Sequence, residues 1–321
     1  MSVGAVLIGR NEGARLVAAL KAARGQVARI VYVDSGSTDG SVAAARAAGA
    51  AVVDLDLSVP FTAARARNEG LARLLRDGPL DYVQFIDGDC ALQPGWIDTA
   101  RAFLDENPQA AVVHGRRRER YPEATIYNQL CDWEWQRPPG RAKSCGGDAL
   151  MRVAAVRAVG GYNPGLIAGE EPELCVRLRA EGWQIWCLDA EMTLHDAAMT
   201  RFRQFWKRAQ RSGHAYAEGA AMHGASPERH GVEGRNRALL WGAGLPAAIL
   251  LAGLIWPWAF LGVLLYPAQV IRVALTQGPP GRPGWIRSLF LMLAKFPQAQ
   301  GVLAYLVDRL RGRRTGLIEY K

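Results

Sequence analysis

Apolar runs of strand length alternate with stretches of helical spacing along the N-terminal part of the chain. Residues 3–8, 29–33, 51–54, 82–86, 111–115 and 183–188 are short and rich in β-branched or aromatic residues, the pattern of buried strands. Between them Leu16, Val17 and Leu20, then residues 42–48, 62–75 and 94–104, read as helices. Pro94 opens the last of these at a first turn, where proline is tolerated. Strand, loop and helix repeated in this order predict an α/β fold, a doubly wound and mainly parallel sheet with helices on both faces. Ligands bind such sheets at the carboxyl edge of the strands, where the loops beginning at Gly9, Asp34 and Asp87 would meet.

The pattern changes downstream. Residues 202–216 read as a basic helix carrying Arg203, Lys207, Arg208, Arg211 and His214, and the Gly-, His- and Ala-containing stretch 219–236 as a linker. No charge occurs in the 34 residues between Arg237 and Arg272. One membrane-spanning helix needs about 20 apolar residues. Residues 238–256 meet that length, Pro257 breaks the run, and 258–271 is short for a second crossing, so a hairpin over about 238–271 is expected. Arg235 and Arg237 flank one end and Arg272, Arg282 and Arg287 the other, which favours return to the cytoplasmic side. Residues 277–284 read as a loop, and about 285–307, interrupted by Lys295 and Pro297, as an interfacial helix. The domain plan is therefore 1–218, a linker over 219–236, and a membrane-associated region over 237–321. A hairpin buried in a soluble core is the competing reading.

Charge sharpens this division. Residues 1–199 hold 22 Lys/Arg against 25 Asp/Glu, net −3, whereas residues 200–321 hold 17 against 5, net +12. A basic, apolar tail on a near-neutral body suits anionic membrane lipid. Nucleic acid, the other polyanion, is set aside because no recognition motif is present. Five cysteines without C-x-x-C spacing read as reduced thiols rather than a disulfide frame or a zinc site. No signal peptide is expected, since the chain opens directly on a strand.

The candidate chemistry centres on residues 82–90, an apolar strand ending in Asp87-Gly88-Asp89. Two carboxylates in one turn repel each other unless donors or a cation share them, and hard oxygen ligands suit Mg²⁺ or Mn²⁺. A solvated acidic turn is the plain alternative. The turn Gly9-Arg10-Asn11-Glu12-Gly13 lets backbone N–H groups face a ligand, but it lacks the G-x-G-x-x-G of dinucleotide sites. Asp34 stands at the next strand edge, able to accept hydrogen bonds from a base or ribose, and Ser35 to Ser41 can cap the helix that follows. Arg65, Arg67, Arg73 and Arg76 read as a solvated helix face. Trp133 and Trp135 are expected in the core, with a sugar-binding floor as the alternative. Glu170 and Glu171 stand where a helix opens, with Pro172 in its first turn and Leu174 and Leu178 on one face.

The Asn11-Glu12 turn, the run from Val33 to Ser41 (Val-Asp-Ser-Gly-Ser-Thr-Asp-Gly-Ser) and Asp87-x-Asp89 occur in an order and spacing that resemble family 2 glycosyltransferases of the GT-A fold, over about residues 1–215. The resemblance implies an inverting enzyme taking sugar from a nucleoside diphosphate of UDP or GDP type. Its first two loops would cradle the nucleoside, so Asn11, Glu12 and Asp34 become donor-binding candidates. Asp87 would serve ribose or sugar, Asp89 the Mn²⁺ or Mg²⁺ on the diphosphate, and His195 a further metal ligand. Arg116, Arg117, Arg118 and Arg120, close in sequence to such a site, are either solvated or hold anionic groups of substrate. Asp148, at the end of Ser144-Cys145-Gly146-Gly147, is the candidate for a sugar hydroxyl. The family's acidic pair falls on Glu170 and Glu171, either of which can be the general base, and Glu173 replaces a later Asp. Gln204-Phe205-Trp206-Lys207-Arg208 does not match the Gln-x-x-Arg-Trp of many membrane-bound members, which weakens a processive polymerase. The implied setting is the cytoplasmic membrane face, with a lipid-linked or glycan acceptor in surface or exopolysaccharide synthesis. A polyprenyl-phosphate acceptor, and a non-enzymatic sugar-nucleotide-binding subunit, are the alternatives.

Overall fold

The computed structural model describes residues 2–276, 281–313, 316 and 318. The chain forms two compact units, Met1–Thr200 and Arg201–Lys321. The first break thus falls earlier than the expected boundary at 218, because helical packing of the second unit begins immediately after Thr200.

In the first unit the order is β1 (Val3–Gly9), α1 (Ala14–Ala23), β2 (Arg29–Asp34), α2 (Ser41–Ala47), β3 (Ala51–Asp54), α3 (Ala63–Arg76), β4 (Tyr82–Asp87) and β5 (Cys90–Leu92). There follow α4 (Trp96–Glu106), β6 (Ala110–Glu119), α5 (Ile126–Trp135), β7 (Gly140–Ala142), β8 (Ala149–Arg152), α6 (Val153–Ala158), α7 (Glu170–Ala180) and β9 (Gln184–His195). The strands form one sheet in the order β3-β2-β1-β4-β8-β6-β9-β5, with β7 also paired to β9. Alternation of side chains along β1 makes two cores. Val6 and Ile8 face α3, α6 and α7, while Val3, Ala5 and Leu7 face α1 and α4. Gly70 lets α3 lie directly on the sheet, since a Cβ there would overlap Val6.

The sheet is parallel through β3, β2, β1 and β4, and mixed beyond, where β8 runs against both β4 and β6. A hydrophobic run marks a buried strand but not its direction, so only the first half was legible. β6 and β9 also run further than their apolar stretches, through Arg116–Arg118 to Glu119 and through Glu191 to His195. Their charged ends are held by pairing to each other, Arg117 opposite Thr193 and Glu119 opposite His195. Register sets the site: Gly9 aligns with Asp34, Ile8 with Asp87, Phe85 with Ala149, and Cys90 with His195.

The second unit is helical: α8 (Phe202–His223), α9 (Val232–Leu239), a π turn (Leu240–Gly244), α10 (Leu245–Ile255), a 3₁₀ segment (Pro257–Leu264), α11 (Leu265–Thr276), α12 (Arg282–Leu293) and α13 (Lys295–Leu310). Helix occupies much of the expected linker 219–236, because α8 continues to His223 and α9 begins at Val232. Of the expected loop 277–284, residues 277–280 lie outside the described residues, and helix begins at Arg282. α8 and α13 meet backbone to backbone: a Cβ on Gly213 would strike the Gln298 carbonyl, and one on Gly301 the Gln210 carbonyl. Among the described residues three helices are long and apolar enough to cross a membrane, Val232–Ile255, Pro257–Thr276 and Arg282–Leu310. The second is longer than the expected 258–271 because α11 carries it past Arg272.

Candidate active site

The first two loops are tied together before any ligand arrives. Asn11 adopts φ 56°, a left-handed conformation that asparagine tolerates better than most residues. Its Oδ1 accepts from the Thr38 N–H at 2.7 Å, and its own N–H donates to Ser37 Oγ at 2.9 Å. Asp34 is buried and accepts from Tyr32 Oη at 3.0 Å and from the N–H groups of Gly36 and Ser37 at 2.9 and 2.8 Å. A carboxylate offers about four acceptor sites, so one remains for a ligand. Glu12 pairs with Arg15 at 2.8 Å. Gly88 brings the acidic turn against this loop, since a Cβ would sit 3.0 Å from the Ile8 carbonyl and 3.1 Å from Glu12 Cγ.

Asp87 and Asp89 diverge in role. Asp89 is buried, and its Oδ1 lies 3.3 Å from His195 Nε2. That separation is close to the edge, about 3 Å, of an octahedron with bonds of about 2.1 Å. The other ring nitrogen of His195, which has no hydrogen bond, faces Glu119 Oε2 at 3.6 Å. Glu119 is in turn fixed by Asn128 Nδ2 and by the N–H groups of Tyr121 and Ala197. A carboxylate behind a histidine is the arrangement that orients a metal-binding imidazole. Burial alone would lower the pKa of His195, but Asp89 and Glu119 outweigh it and raise it. Cys90 lies within ligand reach of Asp89 and His195, and burial first, then nearby carboxylates, push its thiol well up. The Asp89 oxygen and the His195 nitrogen are donors that fit a divalent ion such as Mn²⁺. All five cysteines are free and buried, as reduced thiols require.

Asp87 is held instead by arginines. Its Oδ1 lies 2.8 Å from Arg67 Nη2 and its Oδ2 3.5 Å from Arg117 Nη2. Burial would raise its pKa, but the two guanidinium groups outweigh that and hold it below the usual carboxylate range. Asp148 is fully buried. It accepts from the Asp87 N–H at 3.0 Å and from Thr193 Oγ1 at 2.8 Å, and pairs with Arg117 at 2.9 Å. In this structure it positions Asp87 and Arg117; the expected sugar-hydroxyl contact would need a surface it does not present. Gly147 is required beside it, because a Cβ would lie 2.5 Å from Asp87 Oδ2 and 2.8 Å from Arg67 Nη2.

Gly169, at φ 79°, turns the chain into α7, which delivers Glu170 and Glu171 to the same guanidinium. Arg67 Nη1 lies 3.1 Å from Glu170 Oε1 and 2.9 Å from Glu171 Oε1. Glu170 is buried, while the Glu171 side chain keeps some exposure. Burial first, then the neighbouring Glu170, push Glu171 up to about 7 against the pull of Arg67. A carboxylate of that pKa suits proton transfer near neutrality. Glu173 points elsewhere and clamps Arg177 with both oxygens at 2.7 to 3.1 Å.

The geometry thus joins Asp87, Asp89, Asp148, Glu170, Glu171 and His195, and leaves Asn11 and Asp34 as builders of the adjoining loops. It corrects three expectations. Arg67 is only 2% exposed rather than solvated. Ala64, Arg67, Gly70, Leu71 and Leu74 form its apolar stripe, and a charge inside such a stripe is the signal that was available. Arg117 belongs to the site, whereas Arg116 and Arg118 pair with Asp189 and Glu191 on the exposed strand end. Trp133 and Trp135 are half-exposed rather than core, and Trp135 packs edge-on against His195 with Arg117 over its ring.

The mixed α/β sheet with helices on both faces is the GT-A fold, as the solved structures below show. Residues 5–157 match the family model described as glycosyl transferase family 2. None of the curated proteins is significantly similar in sequence. Among solved structures, a mannosyltransferase from Pyrobaculum calidifontis in complex with GDP-Man and Mn²⁺ is 18% identical over 96% of this chain and 86% of that one, TM-score 0.56. S. aureus TarS (1–349) with UDP-GlcNAc is 13% identical over 98% and 93%, TM-score 0.50. GalNAc-T7 with UDP, GalNAc and Mn²⁺ is 13% identical over 74% and 54%, TM-score 0.50. These likenesses establish the fold.

Arg67→Met leaves Asp87, Glu170 and Glu171 without their shared cation. Removing one partner of a buried ion pair costs about 3–5 kcal/mol. Thermal unfolding should show that loss. It should be larger at pH 8 than at pH 6, because Glu171, already raised to about 7, loses the cation that lowers it, so the native form holds a proton that the unfolded chain has released and raising pH favours unfolding.

Proposed function

We propose that the protein is an inverting, metal-dependent glycosyltransferase that moves a sugar from a UDP- or GDP-type donor to a lipid-linked or glycan acceptor at the cytoplasmic membrane face. The carrying observation is that Glu171, raised to about 7, shares Arg67 with Asp87, beside the Asp89–His195 pair. The nucleotide-sugar complexes of the structural neighbours support the donor class, and their Mn²⁺ supports the metal. Inversion rests on the family resemblance.

Asp89 and His195 would hold the ion, with Glu119 orienting the imidazole. Bound there, a divalent cation supplies charge neutralisation for the leaving diphosphate. The chain's own groups do the rest. The loops tied by Asn11 and Asp34 present backbone N–H groups and one open carboxylate site to the nucleoside. Asp87, kept ionised by Arg67 and Arg117, accepts donor hydroxyls. Glu171 Oε1 is tied to Arg67, which leaves Oε2 to take the proton of the acceptor hydroxyl as it attacks the anomeric carbon. The exposed apolar helices and the +12 charge of the second part bring this chemistry to anionic lipid, where such an acceptor resides.

Glu171→Gln should lower turnover to acceptor by about 10²- to 10⁴-fold with donor binding nearly unchanged, the loss expected of a general base. Wild-type turnover should rise with pH through about 7, since the base works ionised, and the variant should lose that limb. Undiminished turnover in Glu170→Gln/Glu171→Gln would instead favour a phosphate acceptor, which needs no base. Calorimetry with a nucleoside diphosphate should show Mn²⁺-dependent tightening in the wild type and none in Asp89→Ala. The full chain should stay with membranes through high salt and alkaline carbonate and require detergent; release by salt alone would mean surface attachment.

A further inference from the structure

We propose that Trp135 is a positioning residue: its ring holds the Arg117 guanidinium on Asp148 and Asp87, and so keeps Asp89 and His195 open to the divalent ion. The inference rests on the metal reading above and adds what protects that pair from a neighbouring cation.

Trp135 reaches this corner because α5 is registered against the end of β6. Asn128, Asp132 and Trp135 stand at i, i+4 and i+7, on one helical face. Asn128 Nδ2 donates to Glu119 Oε1 at 3.3 Å, and Asp132 Oδ1 accepts from the Glu119 N–H at 3.0 Å. Thr125 caps the helix by accepting from the Asn128 N–H at 3.1 Å, and its hydroxyl donates to the Met199 carbonyl at 2.6 Å. With these turns tied down, the last turn carries Trp135 to the side of His195. Arg117 and Glu119, two apart on β6, share the strand face that meets the helix.

One indole then touches both groups. Its centroid lies 4.5 Å from that of His195, with the rings at 82°. Arg117 Cζ stands over the same ring, 5.3 Å from its centre. A guanidinium over an indole is attracted by the ring quadrupole, more strongly where water is scarce. The Arg117 side chain is only 13% exposed. Held there, its Nη2 meets Asp148 at 2.9 Å and Asp87 at 3.5 Å.

Asp89 also lies within electrostatic reach of this guanidinium. An arginine and a divalent ion compete for one carboxylate, because both are drawn to the same oxygen lone pairs. Removing the ring frees Arg117 to turn toward Asp89 as well, where it would oppose the ion.

The test measures by calorimetry, on the full chain in detergent, how far Mn²⁺ tightens the binding of UDP and of GDP. Trp135→Phe keeps an aromatic face and should preserve that tightening to within about twofold. Trp135→Leu keeps apolar bulk without the face and should weaken it about tenfold, the scale of one partly desolvated cation–π contact. Equal tightening in the two variants would overturn the proposal. Thermal unfolding without metal should be alike for both; a weaker Trp135→Leu that also melts earlier would mark a structural role and overturn it too. In an Arg117→Met background, Trp135→Leu should cost no more than about twofold, since the competing cation is gone. The same tenfold loss there would mean that the ring acts on His195 alone, against the proposal. Should Arg117→Met fail to fold, the comparison of Trp135→Phe with Trp135→Leu decides by itself. Absence of Mn²⁺-dependent tightening in the wild type would overturn the metal reading and this inference together.

Discussion

A single buried guanidinium organises the catalytic unit. Arg67 projects from α3 and meets Asp87 from β4 and both Glu170 and Glu171 from α7, three carboxylates that would otherwise repel one another in a site with little water. Burial first, and then the neighbouring Glu170, raise Glu171 to about 7, since the one cation does not offset both. Arg67 holds Asp87 below the usual carboxylate range, while at Glu171 its pull is outweighed by burial and by Glu170. The close packing around it follows: Gly147 must lack a side chain for Asp87 and Arg67 to meet, and Gly70 must lack one for α3 to approach β1.

The Asp89–His195 corner depends on a different constraint, strand pairing. Asp89 lies in the turn before β5, Glu119 ends β6 and His195 ends β9. These come together because β9 pairs with both β5 and β6, Cys90 opposite His195 and Glu119 opposite His195. Asp148, opening β8 beside β4, links the corners: it takes the Asp87 N–H on one oxygen and Thr193 from β9 on the other. Arg117 reaches both Asp87 and Asp148, so charge balance extends from the Glu170–Glu171 side toward the Asp89–His195 side.

The second unit uses two packing solutions within one run of helices. α8 and α13 exclude side chains at Gly213 and Gly301 and touch through backbone, which buries Ala217 and Val302. The hairpin does the opposite and leaves its large apolar side chains uncovered. Burial against protein and exposure of apolar surface are thus divided between consecutive segments, in keeping with the smaller buried share of Val232–Ile255 and Pro257–Thr276 than of Arg282–Leu310.

The local pattern of residues determined the parallel half of the sheet, the three ligand-edge loops, the acidic turn at Asp87–Asp89, the Glu170–Glu171 helix start and the uncharged hairpin. Each depends on neighbours in sequence: periodicity, turn chemistry and runs without charge. Tertiary structure alone decided the rest. Strand direction beyond β4 is a matter of long-range pairing, so the meeting of Asp89, Glu119 and His195 had no local signature beyond the residue types. Asp148 became a buried positioning group because β8 inserts beside β4. Arg67 stood in sequence among arginines read as a solvated face, and Trp135 among residues expected in the core. Which charge is solvated and which is buried depends on what approaches from elsewhere in the chain, since a buried cation is tolerated only where distant carboxylates arrive to pair with it.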